Sequence, residues 1–108
     1  MDKSNAILAL NALGQTTRLD VFRLLVKVGP ECLPAGEIAN RLGARQNTLS
    51  THLAILTRGG VVRSERQGRV IRYAADFDGM RNLTTYLLED CCRGEPQVCK
   101  PVAAAIQC

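Results

Sequence analysis

At 108 residues, with 46% hydrophobic and 22% charged side chains, the chain has room for one modest core and is short for a multi-step enzyme. Two Tyr, two Phe and no Trp leave the core to Leu, Ile, Val and Ala, which suits a helical fold better than a β-sandwich. The net charge is +4, but between Arg41 and Arg72 seven arginines face one acid, Glu65, while the rest of the chain is slightly acidic. A basic middle on such a body points to a polyanionic partner, with a solvated arginine-rich face as the competing explanation. No apolar run is long enough to span a membrane, and Met1-Asp2-Lys3-Ser4-Asn5 lacks the opening of a secretory signal, so a cytoplasmic location is expected. Five cysteines in a reducing compartment read as ligands or redox groups, not as a disulfide framework.

In chain order, Ile7, Leu8, Leu10 and Leu13 fall at helical spacing over Asn5 to Leu13, with Ser4 or Asn5 as N-cap and Gly14 as the stop. Thr16 or Thr17 can cap a second helix to about Lys27, dense in Leu and Val and closed by Gly29-Pro30. Pro34 suits the first turn of a short helix through Ile38, Ala39 and Leu42 that ends at Gly43. A further helix runs from about Gln46 to Arg58, so two short helices joined by Gly43-Ala44-Arg45 give a helix-turn-helix pattern.

After Gly59-Gly60, the runs Val61–Arg66 and Arg69–Tyr73 alternate like strands around Gln67-Gly68, which reads as a tight hairpin. Asp76 or Asp78 can cap a last helix through Met80, Leu83, Tyr86, Leu87 and Leu88 to the cysteines, with Gly94 and Pro96 as its stop. The expected fold is mainly α with a small β-hairpin, a winged helix-turn-helix.

Wrapping Gln46 to Arg58 at about 100° per residue puts Leu49, Leu53 and Leu56 on one face and Asn47, Ser50, Thr51, Ala54 and Arg58 opposite. Those outward side chains are short or polar, as entry into a major groove ~12 Å wide requires. Gln46 and Asn47 can bond adenine edges, and Ser50 and Thr51 can reach bases or phosphate. The hairpin residues Arg63, Arg66, Arg69 and Arg72 suit phosphate or minor-groove contact, and Arg45 and Arg58 are expected among the DNA-binding residues. His52, the sole histidine, lies at the edge of the apolar arc and reads as packed and hydrogen-bonded.

Arg45-Gln46-Asn47-Thr48-Leu49-Ser50-Thr51-His52-Leu53-Ala54-Ile55-Leu56, followed by Gly60-Val61-Val62-Arg63-Ser64, Gly68-Arg69 and Arg72-Tyr73, resembles the ArsR/SmtB family over roughly residues 6 to 92. The resemblance implies a homodimeric repressor that binds an inverted repeat in double-stranded operator DNA and releases it on binding a metal or metalloid. It implies one domain over residues 1–108, with the first and last helices as the dimer interface and a short C-terminal tail.

Three cysteines fall within nine residues, Cys91, Cys92 and Cys99. The family's arsenic-sensing Cys-Val-Cys box has no counterpart near Leu33–Ile38, where Cys32 alone precedes the stretch, and the last helix has no histidine for the family's zinc site. The chain is more similar to a variant class that senses trivalent arsenic with Cys-Cys and a third cysteine at the end of the last helix. Three soft sulfurs suit a three-coordinate thiophilic ion, and the resemblance implies arsenic(III) or antimony(III) as that ion, acting as inducer with no permanently bound cofactor. A fourth ligand from Cys32 or Cys108 would admit zinc, cadmium or lead, and a redox or persulfide switch is the other thiol reading. A small thiol enzyme is disfavoured, since no Cys-x-x-Cys turn, general base or cofactor loop accompanies the thiols.

Overall fold

Helix punctuation builds most of this fold, and it differs in detail from the expectations above. The computed structural model describes residues 1–89. Helix α1 spans Lys3–Leu13, and its cap is Asp2, whose carboxylate accepts the Asn5 N–H at 2.8 Å. That acid begins the helix two residues earlier than Ser4 would and three earlier than Asn5 would, because it satisfies an orphan donor at the positive helix end. Helix α2, Thr16–Val28, is capped by Gln15, whose side-chain oxygen accepts the Arg18 N–H at 2.8 Å. Thr16 and Thr17 are already helical, so neither is the cap.

Pro34 lies one position outside the helix expected to contain it. Leu33–Pro34 form a two-residue strand, β1, and Pro34 is the N-cap of α3, Ala35–Leu42. Helix α4, Gln46–Arg58, completes the helix-turn-helix. The hairpin strands are β2, Val62–Gln67, and β3, Val70–Ala75, paired antiparallel with β3 in the middle of the order β1-β3-β2. Gln67 pairs with Val70, so the turn residues are Gly68 and Arg69, not Gln67 and Gly68. Gly68 has φ +64°, a left-handed conformation that costs a residue with a Cβ roughly 1–2 kcal/mol, and this places the turn.

Helix α5, Phe77–Leu88, starts from Asp76, which accepts the Gly79 N–H at 2.9 Å. Among the described residues it ends at Leu88, where Glu89 has ψ 124°; the cysteines expected at its end lie beyond them. Acidic Glu89 at the negative end of the helix opposes continuation. Cys91, Cys92, Cys99 and Cys108 lie outside the described residues.

Leu49, Leu53 and Leu56 of α4 are fully buried among Val21, Phe22 and Leu25 of α2, Ile38 of α3, and Val61 and Val62. Each such leucine contributes about 1.5–3 kcal/mol by leaving water. Helix α1 presents Ala6, Ala9 and Ala12, three small residues at i, i+3 spacing, to this core. Helices α1, α2 and α3 all pack on α4. No helix among the described residues is long and apolar enough to cross a membrane.

Candidate nucleic-acid interface

Because Leu49, Leu53 and Leu56 turn one side of α4 into the core, the opposite side of the helix faces outward. Gln46, Asn47, Ser50, Thr51, Ala54 and Arg58 are all exposed, as expected from the periodicity. Arg45 is the N-cap residue of α4 and is exposed beside them. The Ser50 hydroxyl donates to the Gln46 carbonyl at 3.1 Å, which leaves its lone pairs facing solvent. Gly36 of α3 lies against the Gln46 side chain, where an added Cβ would sit 3.6 Å from Oε1, so the first helix of the pair borders the N-terminal end of the second. Arg58 shares the outward face but lies about 16 Å from Asn47 along the axis. It lines a shallow groove of about 390 Å³ with Asp76 and Asp78.

The hairpin divides its arginines into two pairs. From Arg63 to Ile71 every residue is exposed, Val70 and Ile71 included, so the strands project past the body with both faces in solvent. At the tip, Arg66 Nε donates to the Gly68 carbonyl at 3.2 Å and braces the turn, while Arg69 takes part in no hydrogen bond or ion pair among the described residues. Arg63 and Arg72 make contacts within the chain as well. Glu65 stands opposite Arg72 in the ladder, and the Arg63 guanidinium lies 3.8 Å from its carboxylate. Arg63 also donates to the Pro30 carbonyl at 3.5 Å, and Arg72 to the Cys32 carbonyl at 3.4 Å. These two fasten the loop before β1 to the base of the hairpin. That role follows from strand register, which their spacing in sequence does not reveal.

Cys32, half-buried in that loop, donates its thiol to Glu65 at 3.4 Å. Among the described residues no group of three or more His, Cys, Asp and Glu side chains is placed to hold a metal ion. His52 is half-buried with Nδ1 3.4 Å from Arg18 Nη1, the packed, hydrogen-bonded histidine expected. Arg18 itself carried no signal in the sequence beyond its place in a helix.

A helix-turn-helix with a polar outward row, followed by a projecting hairpin with arginines at its tip, defines a winged helix-turn-helix protein. A helix-turn-helix domain model matches residues 13–65. The transcriptional activator HlyU of Vibrio cholerae is 31% identical over 72 residues, covering 67% of this chain and 64% of its own length, just under two thirds. The HlyU structure superposes with a TM-score of 0.61 at 29% identity, covering 81% of this chain and 97% of that one. NolR of Sinorhizobium fredii is 30% identical with a TM-score of 0.62, over 80% and 83% of the two chains. An ArsR-like regulator from Rhodococcus shares the fold (TM-score 0.71, 96% and 94% covered) at 23% identity. The chain carries a helix-turn-helix domain and shares the winged helix-turn-helix fold of these regulators.

Proposed function

We propose that the protein is a homodimeric DNA-binding regulator that places α4 in the major groove and the hairpin tip against the neighbouring backbone. The observation that carries this is the outward row Gln46, Asn47, Ser50 and Thr51, held in direction by the buried leucines behind it, with Arg45, Arg66 and Arg69 at its flanks. Two such helices in a two-fold dimer match half-sites about 34–36 Å apart, hence an inverted repeat. Dimerisation is supported by apolar residues left in solvent on the two helices expected to pair: Ile7 (48% exposed), Leu8 (45%) and Leu10 (41%) on α1, and Leu87 (51%) on α5. A related domain of the same fold, from Mycobacterium bovis, is described as homodimeric.

Cys91, Cys92 and Cys99 take trivalent arsenic, or antimony, as the inducer. Arsenous acid condenses with three thiols to give a tris-thiolate and three waters, with no net proton released. The inducer need bind the DNA-free state only 5–150-fold better, about 1–3 kcal/mol, to change operator affinity by the same factor. Release of operator DNA derepresses the resistance genes it controls. HlyU is an activator. The sign of regulation depends on where the operator lies relative to the promoter.

The deciding experiment is a gel shift on the DNA upstream of the gene, with arsenite, antimonite, zinc, cadmium and hydrogen peroxide each added. Release by arsenite and antimonite alone is expected. Release by peroxide, reversed by dithiothreitol, would replace the metalloid reading with a redox one.

A further inference from the structure

Near the start of α2, the Arg18 side chain leaves its own helix and turns back to the end of α1. Its Nε donates to the Ala12 carbonyl at 2.7 Å and its Nη2 to the Asn11 carbonyl at 3.3 Å. These belong to the last turn of α1, at the negative end of the helix dipole, where the Asn11 carbonyl also accepts the Gly14 N–H at 3.2 Å. The third nitrogen, Nη1, lies 3.4 Å from Nδ1 of His52 in the middle of α4. A guanidinium can only donate, so this contact is a hydrogen bond in the tautomer that leaves Nδ1 free to accept. One side chain thus joins the start of α2, the end of α1 and the middle of α4.

A second contact between α1 and α4 lies seven residues along. A Cβ on Gly59 would fall 2.8 Å from Ala12 Cβ and 3.1 Å from the Leu8 carbonyl oxygen, so the end of α4 lies flush against α1. His52 and Gly59 are two turns apart on one line of the helix, about 10.5 Å. That line runs opposite the outward row of Asn47, Ser50 and Ala54. Held at two heights against the same neighbour, α4 is restrained from rolling about its axis. The restraint matters because a 20° roll moves a side-chain tip at a radius of ~6 Å by about 2 Å, enough to break a bidentate base contact.

We propose that Arg18 is a positioning residue for sequence reading: through His52 it fixes the roll of α4 relative to α1, so that the outward row meets base edges in register. Arg18 has this role only if α4 reads DNA, as proposed above. Neither Arg18 nor His52 belongs to the row that would touch DNA. Their loss therefore reduces discrimination between sequences, whereas phosphate affinity stays as it was.

The test uses the full chain and two duplexes of equal length, one enriched by the wild-type protein from a random pool and one scrambled. Arg18→Lys, His52→Leu, the double variant and His52→Asn are compared by fluorescence anisotropy, with melting temperature recorded for each. Arg18→Lys keeps the charge but cannot reach three acceptors, and His52→Leu removes the acceptor. Each is expected to weaken binding to the enriched duplex about tenfold, or 1.4 kcal/mol, with unchanged affinity and salt slope on the scrambled one. The double variant should be no worse than either single one. His52→Asn, whose amide oxygen takes the place of Nδ1, should restore most of the lost affinity. Parallel loss on both duplexes that tracks a fall in melting temperature would reduce Arg18 to a structural brace. Wild-type affinity in Arg18→Lys and His52→Leu would overturn the role outright. A random pool from which the wild-type protein enriches no sequence would overturn the DNA-binding reading and this role together.

Discussion

The division of the hairpin arginines makes a quantitative prediction. Arg69 stands at the tip with no partner among the described residues, whereas Arg72 is half-buried and bonded to the Cys32 carbonyl. If the tip meets phosphate, Arg69→Ala removes one contact per protomer, two per dimer. Each phosphate contact contributes about 0.9 to the slope of log affinity against log salt, so the variant's slope should be shallower by about 1.8. Over a fourfold rise in salt, that difference changes the ratio of wild-type to variant affinity by about twelvefold, with the gap widest at low salt.

Because the effect is independent of sequence, any duplex of about 30 base pairs serves, titrated by fluorescence anisotropy at four or five salt concentrations. Arg72→Ala is the internal control: it should lower stability by about 1 kcal/mol, the worth of one hydrogen bond, and leave the slope alone. A wild-type slope in Arg69→Ala, or an equal loss of slope in Arg72→Ala, would refute the assignment of the tip to the DNA backbone.

Leu53→Ala, at a fully buried position in the middle of α4, should cost about 2–5 kcal/mol and lower the melting temperature by well over 8 °C at fixed protein concentration. Ile7→Glu, on the exposed apolar side of α1, should leave the fold intact by circular dichroism yet give a monomer in sedimentation velocity; an unchanged dimer would move the interface elsewhere. Cys99→Ser should abolish arsenite-induced release of DNA and Cys32→Ser should not, with arsenite affinity nearly flat from about pH 6 to 8 because condensation releases no net protons. A response lost only in Cys32→Ser, or measurable proton release on arsenite binding, would remove the three-cysteine assignment.

The helices were legible because each carries its own punctuation. The bounds of α4 follow from Gly43 before it, Gly59-Gly60 after it and leucines at 49, 53 and 56 between. Where two residues could cap a helix, the sequence left the choice open, and twice the cap was a neighbour. Asp2 and Gln15 act because the backbone is extended at those positions, a property that residue type alone does not state. Strand β1 was not legible at all. Two residues, one of them proline, give no alternation to read, and they become a strand only because β3 offers Tyr73 and Arg72 as partners.

The site shows the same boundary between local and non-local information. Period fixes direction on a helix, so Asn47, Ser50 and Thr51 could be placed outward from spacing alone. On the hairpin, Arg63, Arg66, Arg69 and Arg72 recur every three residues, and their number suggested one basic surface. A strand has period two, and the ladder pairs Glu65 with Arg72 and Arg66 with Ile71, so Arg63 and Arg72 come to one face beside the only acid of the hairpin. Beyond that acid lies the loop 30–32, brought there by the pairing of β1. The carbonyls of Pro30 and Cys32 then receive the two guanidinium groups, and the tip arginines make no contact with that loop. An arginine count measures the charge available to a polyanion; the register decides how much of it is already engaged.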